Sequence, residues 1–456
     1  MSISQKKLAE ALLRYDGAFP RYTSYPTAPH FSDAVSALDY KQWLQNLSAV
    51  EGPVSLYAHI PFCDQLCWYC GCNTKITKRY EPIERYVEWL NNEINQVADV
   101  IDSSLPVTHL HFGGGSPNSL SDSDFNHIVS LFSSRFQFQD SIEIAVEIDP
   151  RTFSSHTANT YAQAGVNRVS IGVQDFDPDV QEAINRVQSY DQVRSVVDSL
   201  RDVGINQINF DLLYGLPLQT TQSISKTIEL ATSLKPNRIA LFGYAHVPWM
   251  KKHMRLIDED KLPNGNERIL LRQEASNLLV DQGYTAIGID HFVREDDPMA
   301  QAFRQKKIYR NFQGYTTDNA QTLLAFGASS ISALPQGYVQ NHTEVRDYYQ
   351  SIQDGNLPVK KGISVTDEDI LRRKVIEQLM CYLQVDVSGI CYEHGMNPDM
   401  FATVFESLNL LVNDGLLSID GWKITILPEA RQIVRVVAAG FDSYFSHSLG
   451  RHSRVA

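Results

Sequence analysis

Seven short apolar runs recur along the chain, and amphipathic stretches separate them. Each run has the length of a strand and is rich in β-branched and aromatic residues. Between the first two runs, apolar residues recur at helical spacing, at positions 83, 87, 90, 94, 97 and 101. This alternation predicts parallel βαβ units in an α/β fold, arranged as a full or partial TIM-like (β/α) barrel or as an open sheet. The runs span residues 54–60, 107–112, 142–148, 168–173, 205–215, 238–247 and 285–292.

Polar side chains, a glycine or a cysteine follow or end most of these runs. In α/β folds, functional sites lie at the carboxyl ends of the parallel strands. We therefore expect the strand-end residues to converge on one face, and they are Cys63, Gly113, Glu147, Gln174, Asp211, His246 and His291.

The chain after the last run changes character. Residues 353–362 are polar with Gly and Pro and predict a linker. Thr366 and Asp369 then have the spacing of a helix capping box, and a hairpin followed by a helix is predicted near the end, as in a winged helix. Acidic residues outnumber basic ones there, which favours a packing or lid role over DNA binding. The predicted division is an N-terminal arm at 1–50, a (β/α) barrel domain at 51–350 and a small, mostly α C-terminal domain at 351–456.

Charge and hydropathy narrow the class of protein. The net charge is −13, from 40 Lys and Arg against 53 Asp and Glu, which disfavours nonspecific nucleic-acid binding. An anionic substrate would need a local basic pocket, because the overall field repels it. No apolar run reaches the roughly 18–20 residues that span a bilayer, and the first residues lack the apolar core of a signal peptide. We expect a cytoplasmic protein that binds neither membrane nor nucleic acid.

Four of the six cysteines fall between residues 63 and 72. Cys63, Cys67 and Cys70 are spaced C-x3-C-x2-C, and Cys72 follows. Such crowding in a long chain without secretory features indicates a metal or redox site rather than a disulfide framework. Structural zinc commonly uses two separated pairs of ligands, and no second pair is present. Three thiolates in one loop suit a cubane iron–sulfur cluster, which would leave one iron open to a small molecule.

The segment "HIPFCDQLCWYC" resembles the cluster loop of the radical S-adenosylmethionine (SAM) enzymes. The resemblance implies a barrel of the radical SAM type, in which Cys63, Cys67 and Cys70 hold one 4Fe-4S cluster. It also implies that the open iron binds the amino and carboxylate groups of SAM. One electron then splits SAM into methionine and a 5′-deoxyadenosyl radical.

The resemblance extends to one family. "PRYTSYPTA", "HFGGGSPNSL", "VEIDPR", "NFDLLYGLP" and "RNFQGYTT" follow one another as in the oxygen-independent coproporphyrinogen III oxidases, over nearly the whole chain. This implies anaerobic oxidative decarboxylation of two propionates of coproporphyrinogen III to vinyl groups, giving protoporphyrinogen IX in haem biosynthesis. It also implies a tetrapyrrole substrate, an unidentified reducing electron donor and a monomeric enzyme.

Several residue roles follow from this resemblance. Glu147 ends a strand, where its carboxylate could accept hydrogen bonds from ribose hydroxyls. The family usually has Thr at the position of Ser116, so the hydroxyl is retained. His59 is either a supporting donor or a packed strand histidine. The implied SAM contacts are Tyr57, Gly114, Gly115, Ser116, Glu147, Ala245 and Ile331, and a second SAM molecule is implied at Tyr69, Gly115, Ser116, Gln174, Arg186 and Asp211. Substrate or supporting roles are implied for Arg21, Tyr22, Cys72, Phe312 and Gln313.

Two relatives of this family offer alternative functions. One type binds and delivers haem, and the other is a radical SAM enzyme that opens the haem ring. The haem carriers usually lack the "PRYTSYP" arm and the fourth cysteine of the loop. Both features are present here, which favours the oxidase.

Overall fold

The computed structural model describes residues 5–48 and 52–445. The ends of the predicted arm and of the predicted C-terminal domain (1–4, 49–51 and 446–456) lie outside these residues. The helices are α1 (Gln5–Arg14), α2 (Ala37–Gln45), α3 (Glu81–Ala98), α4 (Asp122–Arg135), α5 (Ser155–Gln163), α6 (Pro178–Ala183), α7 (Tyr190–Asp202), α8 (Thr221–Ser233), α9 (Gly265–Asp281), α10 (Pro298–Arg304), α11 (Val345–Gln353), α12 (Asp367–Tyr382), α13 (Val387–Glu393), α14 (Ala402–Ser407), α15 (Asn409–Asn413) and α16 (Val434–Gly440).

The strands alternate with these helices over the first two thirds of the chain. They are β1 (Val54–Ile60), β2 (Phe62–Cys63), β3 (Lys75–Ile76), β4 (Pro106–Gly114), β5 (Gln137–Ile148), β6 (Arg168–Gln174), β7 (Gln207–Tyr214), β8 (Arg238–Gly243), β9 (Tyr284–Ile287), β10 (His291–Arg294), β11 (Tyr309–Asn311), β12 (Gly314–Thr316), β13 (Thr322–Phe326), β14 (Ile331–Leu334), β15 (Gly337–Asn341), β16 (Val359–Ser364), β17 (Gln384–Asp386), β18 (Leu417–Asp420) and β19 (Lys423–Ile426).

One large sheet organises the fold. Its order is β16-β15-β14-β13-β1-β4-β5-β6-β7-β8-β10-β9. The strands from β13 to β8 in this order are parallel, and the strands at both ends are antiparallel. The predicted α/β class is confirmed. The strand order is linear and its outer strands, β16 and β9, do not pair, so the described strands do not close into a full barrel.

Six of the seven apolar runs form the predicted parallel strands. The seventh run was predicted as one strand and instead forms the antiparallel strands β9 and β10. Gly288, at φ +54°, breaks the run because glycine adopts this left-handed conformation without a steric penalty. His291 therefore begins a strand rather than ending one.

Helix α3 packs into the main core through the predicted apolar stripe. On α3, Ile83, Val87, Leu90, Ile94 and Val97 are all buried in the main core, as the spacing predicted. Burial of this face, rather than helix propensity alone, stabilises a helix of this length.

A second core joins the two ends of the chain. It contains Leu8, Leu12 and Phe19 from the N-terminal segment together with apolar residues of α12, α13 and α16. The arm therefore packs against the C-terminal helices. Cys381 and Cys391 are buried, as expected for small core residues.

The C-terminal segment follows its prediction with one exception. Thr366 and Asp369 form the capping box of α12, and β18 and β19 form the predicted hairpin ahead of α16. The prediction of a linker at 353–362 was wrong for the second half of this range, because β16 pairs with β15 there and extends the large sheet. No helix in the described ranges is long and apolar enough to cross a membrane.

Truncating the α3 stripe tests how this core is held together. Leu90 is 0% exposed, so Leu90→Ala should lower the free energy of unfolding by about 2–5 kcal/mol, because it leaves a cavity. Leu38 on α2 is 77% exposed, and Leu38→Ala should change it by less than about 0.5 kcal/mol. Denaturant unfolding of both variants measures the difference. Equal effects would contradict the packing described.

Candidate active site

The cysteine loop begins where β1 ends, and a short strand pair closes it. β2 and β3 pair in parallel, with Cys63 opposite Ile76. The backbone N–H of Thr77 donates to the Cys63 carbonyl at 3.0 Å. Two side chains from the segment after β8 also bind the loop. His253 Nε2 donates to the Cys70 carbonyl at 2.8 Å, and Lys251 Nζ donates to the Cys72 carbonyl at 2.9 Å.

The cysteines of this loop differ in burial. All six cysteines of the chain are free thiols. Cys67 is buried, Cys63 and Cys70 are half-buried, and Cys72 is exposed. Among the described residues, no three His, Cys, Asp or Glu side chains converge on a point that one metal ion could occupy. A cubane cluster sets a different requirement, because each of its thiolates binds a separate iron.

Two guanidinium groups lie beside the Cys67 sulfur. Arg151 Nη2 is 3.4 Å and Arg186 Nη1 is 3.5 Å from Cys67 Sγ. Both side chains are also paired with Asp149, at 2.6 Å and 3.3 Å. Such groups stabilise negative charge on sulfur, which is the form in which cysteine binds metal.

The pKa values of two thiols in the loop are shifted in opposite directions. Burial and the neighbouring Cys70 and Cys67 raise the pKa of Cys63 to about 12. Hydrogen bonding from Cys72, chiefly, lowers the pKa of Cys70 to about 6. Several thiolates in this space therefore require a positive counter-charge, and the iron of a cluster would supply it. The donor set fits a 4Fe-4S cluster at Cys63, Cys67 and Cys70.

The glycine triplet ends β4 and packs against the loop. A Cβ on Gly115 would lie 2.6 Å from the Phe62 carbonyl oxygen, and one on Gly114 would lie 2.6 Å from the His59 ring. Gly113 faces the carboxylate of Glu147 in the same way, at 2.8 Å. Close packing of the protein on itself therefore requires these glycines, whether or not a ligand also approaches them.

Glu147, at the end of β5, is held in its ionised form. Its Oε1 accepts a hydrogen bond from His111 Nε2 at 3.0 Å, and its Oε2 accepts one from the Gly114 N–H at 3.3 Å. Burial acts to raise the pKa of Glu147, but the bond and charge of His111 and the Gly114 N–H outweigh it and keep the pKa below its usual value. A half-buried, ionised carboxylate of this kind can bind hydroxyl or ammonium groups of a ligand.

A cavity of 770 Å³, here called the cluster-side cavity, joins the loop to the strand ends. Arg186 donates to the Gly172 carbonyl at 2.6 Å, and its buried Nε has no hydrogen-bond partner. Burial, followed by the charge of Glu147, raises the pKa of Asp211 to about 7. Of the sequence-predicted residues, this cavity brings together Cys63, Cys67, Tyr69, Cys70, Cys72, Gly114, Gly115, Glu147, Gln174, Arg186 and Asp211.

Four implied SAM contacts lie outside the walls of this cavity. Ser116 is buried, and its hydroxyl donates to Asn118 Oδ1 at 2.6 Å. Tyr57 stacks on His111 and donates its hydroxyl to His59 Nδ1 at 3.1 Å. The other two are Ala245, just after β8, and Ile331, at the start of β14.

His59, on β1, and His246, after the end of β8, have separate roles. His59 Nε2 donates to the Asn73 carbonyl at 3.2 Å, so this side chain links β1 to the cysteine loop. His246 is bonded to Tyr244 and to Glu259, outside the cluster-side cavity. Of the seven predicted strand-end residues, Cys63, Glu147, Gln174 and Asp211 line this cavity, and Gly113, His246 and His291 do not.

Two further cavities continue from the cluster-side cavity. The barrel cavity, of 1080 Å³, shares Glu147, Ser170 and Asp211 with it and is lined by Gln313. The arm cavity, of 1140 Å³, shares Ser55 and Asp318, among others, with the barrel cavity, and Tyr22 and Phe312 line it. Arg21 lines a separate cavity of 510 Å³ and donates to the Gly243 carbonyl at 3.1 Å.

Sequence reasoning missed three polar residues of the site. Asp149 and Arg151 belong to the quoted motif "VEIDPR", yet only Glu147 was singled out from it. His111 lies two residues before the glycine triplet. Their position at the ends of β4 and β5 was the signal, because strand-end polar residues converge.

Comparison with known proteins agrees with this geometry. The radical SAM superfamily matches residues 57–231. The chain is 46% identical over 435 residues to the oxygen-independent coproporphyrinogen III oxidase of Bradyrhizobium diazoefficiens, covering 95% of this chain and 96% of that protein. It is 40% identical over 437 residues to the enzyme of the same name from Cereibacter sphaeroides, covering 96% of each.

A solved structure extends the similarity to the fold. Coproporphyrinogen III oxidase from Escherichia coli, described as a radical SAM enzyme, superimposes with a TM-score of 0.90 at 36% identity. The match covers 96% of this chain and 99% of that one. The chain belongs to the radical SAM superfamily and, within it, to the oxygen-independent coproporphyrinogen III oxidases.

Proposed function

We propose that this protein catalyses the anaerobic oxidative decarboxylation of two propionates of coproporphyrinogen III, giving protoporphyrinogen IX in haem biosynthesis. Each reacting side chain loses CO2 and the equivalent of a hydride, and it becomes a vinyl group. The observation that carries the proposal is that the cluster-side cavity, which holds the cysteine loop, and the barrel cavity share the Glu147 carboxylate in their walls. Membership of the family supports the same substrate.

The cofactors are one 4Fe-4S cluster and SAM, as the family requires. When bound, they supply a 5′-deoxyadenosyl radical by one-electron reductive cleavage of SAM. We assign the cluster to Cys63, Cys67 and Cys70. We assign SAM contacts to Tyr57, Gly114, Gly115, Ser116, Glu147, Ala245 and Ile331, and a second SAM molecule to Tyr69, Gly115, Ser116, Gln174, Arg186 and Asp211.

The chain's own residues orient these groups and exclude water. Glu147, kept ionised by His111, would accept hydrogen bonds from a bound SAM molecule. Arg186 would donate a hydrogen bond from Nε to a carboxylate, since this nitrogen is buried without a partner. Because the polar groups at the strand ends are already in place before the reaction, they need not reorient during it. The protein thereby contributes orientation, and the cofactors contribute the chemistry.

Other features of the proposal concern the protein as a whole. We propose a monomer in the cytoplasm that receives electrons from a separate reducing donor and binds neither nucleic acid nor membrane. We propose the division at 1–50, 51–350 and 351–456, with the arm near the substrate. Arg21, Tyr22, Cys72, Phe312 and Gln313 are proposed to contact or support the substrate.

Removing one cluster ligand tests the metal assignment. Cys67→Ala should lose the iron and acid-labile sulfide of the anaerobically reconstituted protein, because two thiolates cannot hold the cluster. Release of CO2 from coproporphyrinogen III should fall to background. Cys391→Ala, which removes a buried thiol in the second core, should keep both. A Cys67→Ala protein that retains its cluster and releases CO2 would show that the assignment is wrong.

Neutralising Glu147 tests the SAM assignment separately. Glu147→Gln should raise the KM for SAM about tenfold or more, since a charge-assisted hydrogen bond is lost, while the iron content stays unchanged. Reductive cleavage of SAM by dithionite measures this KM. Glu182→Gln on α6 changes an exposed carboxylate and serves as the control. An unchanged KM in Glu147→Gln would remove this residue from the SAM site.

A further inference from the structure

The arm cavity lies between three separate parts of the chain. Residues 22–25 of the arm, the β11–β12 hairpin and α12 form its walls. Five aromatic side chains contribute to the lining, and they are Tyr22, Tyr25, Tyr309, Phe312 and Tyr338. Such walls suit a flat ligand with an apolar body.

Two arginines in this lining have buried donors without an acceptor. Arg310, on β11, donates from Nη2 to the Arg21 carbonyl at 3.3 Å, but its buried Nε and Nη1 make no hydrogen bond. Arg373, on α12, donates from Nε to the Tyr25 carbonyl at 3.2 Å, but its buried Nη2 makes none. Buried polar groups are nearly always hydrogen-bonded, so these three nitrogens point to an absent acceptor.

Aromatic rings hold both guanidinium groups in position. Arg310 lies 4.5 Å from the ring centroid of Tyr315, and Arg373 lies 5.2 Å from that of Tyr338. Stacked guanidinium groups keep their planar donor edges available for a carboxylate.

The carboxylates of the cavity form no close ion pair with these arginines. Asp318 is bonded to Ser55 and to the Ala320 N–H, and it is paired with His109 at 3.2 Å. Glu377 is 3.4 Å from the backbone N–H of Arg310, not from its guanidinium. Neither Arg310 nor Arg373 forms an ion pair within the described residues.

We propose that Arg310 and Arg373 bind a propionate carboxylate of the tetrapyrrole that is not the one undergoing reaction. The inference rests on the proposed function, and it adds residues that anchor the substrate and select for its carboxylates. The arm cavity shares lining residues such as Ser55 and Asp318 with the barrel cavity, which Glu147 also lines, so one ligand could extend from the arginines toward the cluster side. An acidic chain also needs a local basic site to hold a tetra-anionic substrate.

Porphyrin binding to the reconstituted holoenzyme tests the proposal without turnover. Coproporphyrin III and its tetramethyl ester serve as fluorescent probes, with and without the carboxylate charges. The unsubstituted protein, here called the parent, should bind the tetra-acid more tightly than the ester. Arg310→Gln and Arg373→Gln should each weaken binding of the tetra-acid about tenfold or more and leave the ester's Kd unchanged. Arg373→Lys should be intermediate, because lysine keeps the charge and loses the planar fork.

Arg346→Gln provides the matched control, since Arg346 is an exposed arginine on α11. It should leave both Kd values unchanged. Unaltered binding of the tetra-acid in both Gln variants would overturn the proposal. So would an equal loss of acid and ester binding, which indicates a structural role.

Release of CO2 from coproporphyrinogen III by the parent distinguishes the proposed function from the proposed arginine site. A parent that releases CO2, with variants that keep their acid preference, would refute the arginine site and leave the function intact. A parent that releases none, with variants that lose the acid preference, would refute the function and support the carboxylate site.

Discussion

The structure depends on one constraint, the fixed position of the cysteine loop against the carboxyl ends of the parallel strands. The N–H groups of Gly115 and Ser116 donate to the carbonyls of Ile60 and Phe62, both at 2.8 Å. This registers the end of β4 against the start of the loop, and any Cβ at Gly115 would push them apart. Because β5, β6 and β7 follow in order, Glu147, Gln174 and Asp211 face the same space as the thiols. The chemistry of the site follows from that juxtaposition.

The positions of the arginines agree with this geometry of the site. The chain carries a net charge of −13, yet Arg151 and Arg186 lie beside Cys67, and Arg310 and Arg373 line the arm cavity. Buried cations are costly unless they are paired, so their position reflects what they bind. Asp149 pairs with the first two and keeps them beside the sulfur. The second two make no such pair, which agrees with their proposed role toward a substrate carboxylate.

Much of the fold was predictable because its strands and its α3 stripe have clear periodicity. β1 begins and ends at the predicted residues, and the cysteine spacing identified the loop. The break at Gly288 was missed because an isolated glycine in an apolar run is compatible with a continuous strand. The pairing of β16 was missed because α11 separates it from its partner β15 in sequence and because its own sequence, with two lysines and a glycine, resembles a linker. Ser116 has the residue type of a ligand contact, but its hydroxyl direction depends on Asn118, which no spacing rule reveals.

We infer that one iron of the cluster has no protein ligand and binds SAM. Mössbauer spectroscopy of protein reconstituted with 57Fe, recorded with and without SAM, can detect this iron. SAM should change the isomer shift of a single iron and leave the signals of the cysteine-bound irons unchanged. A spectrum that SAM does not alter, or a centre in which Cys72 completes the coordination of every iron, would contradict it.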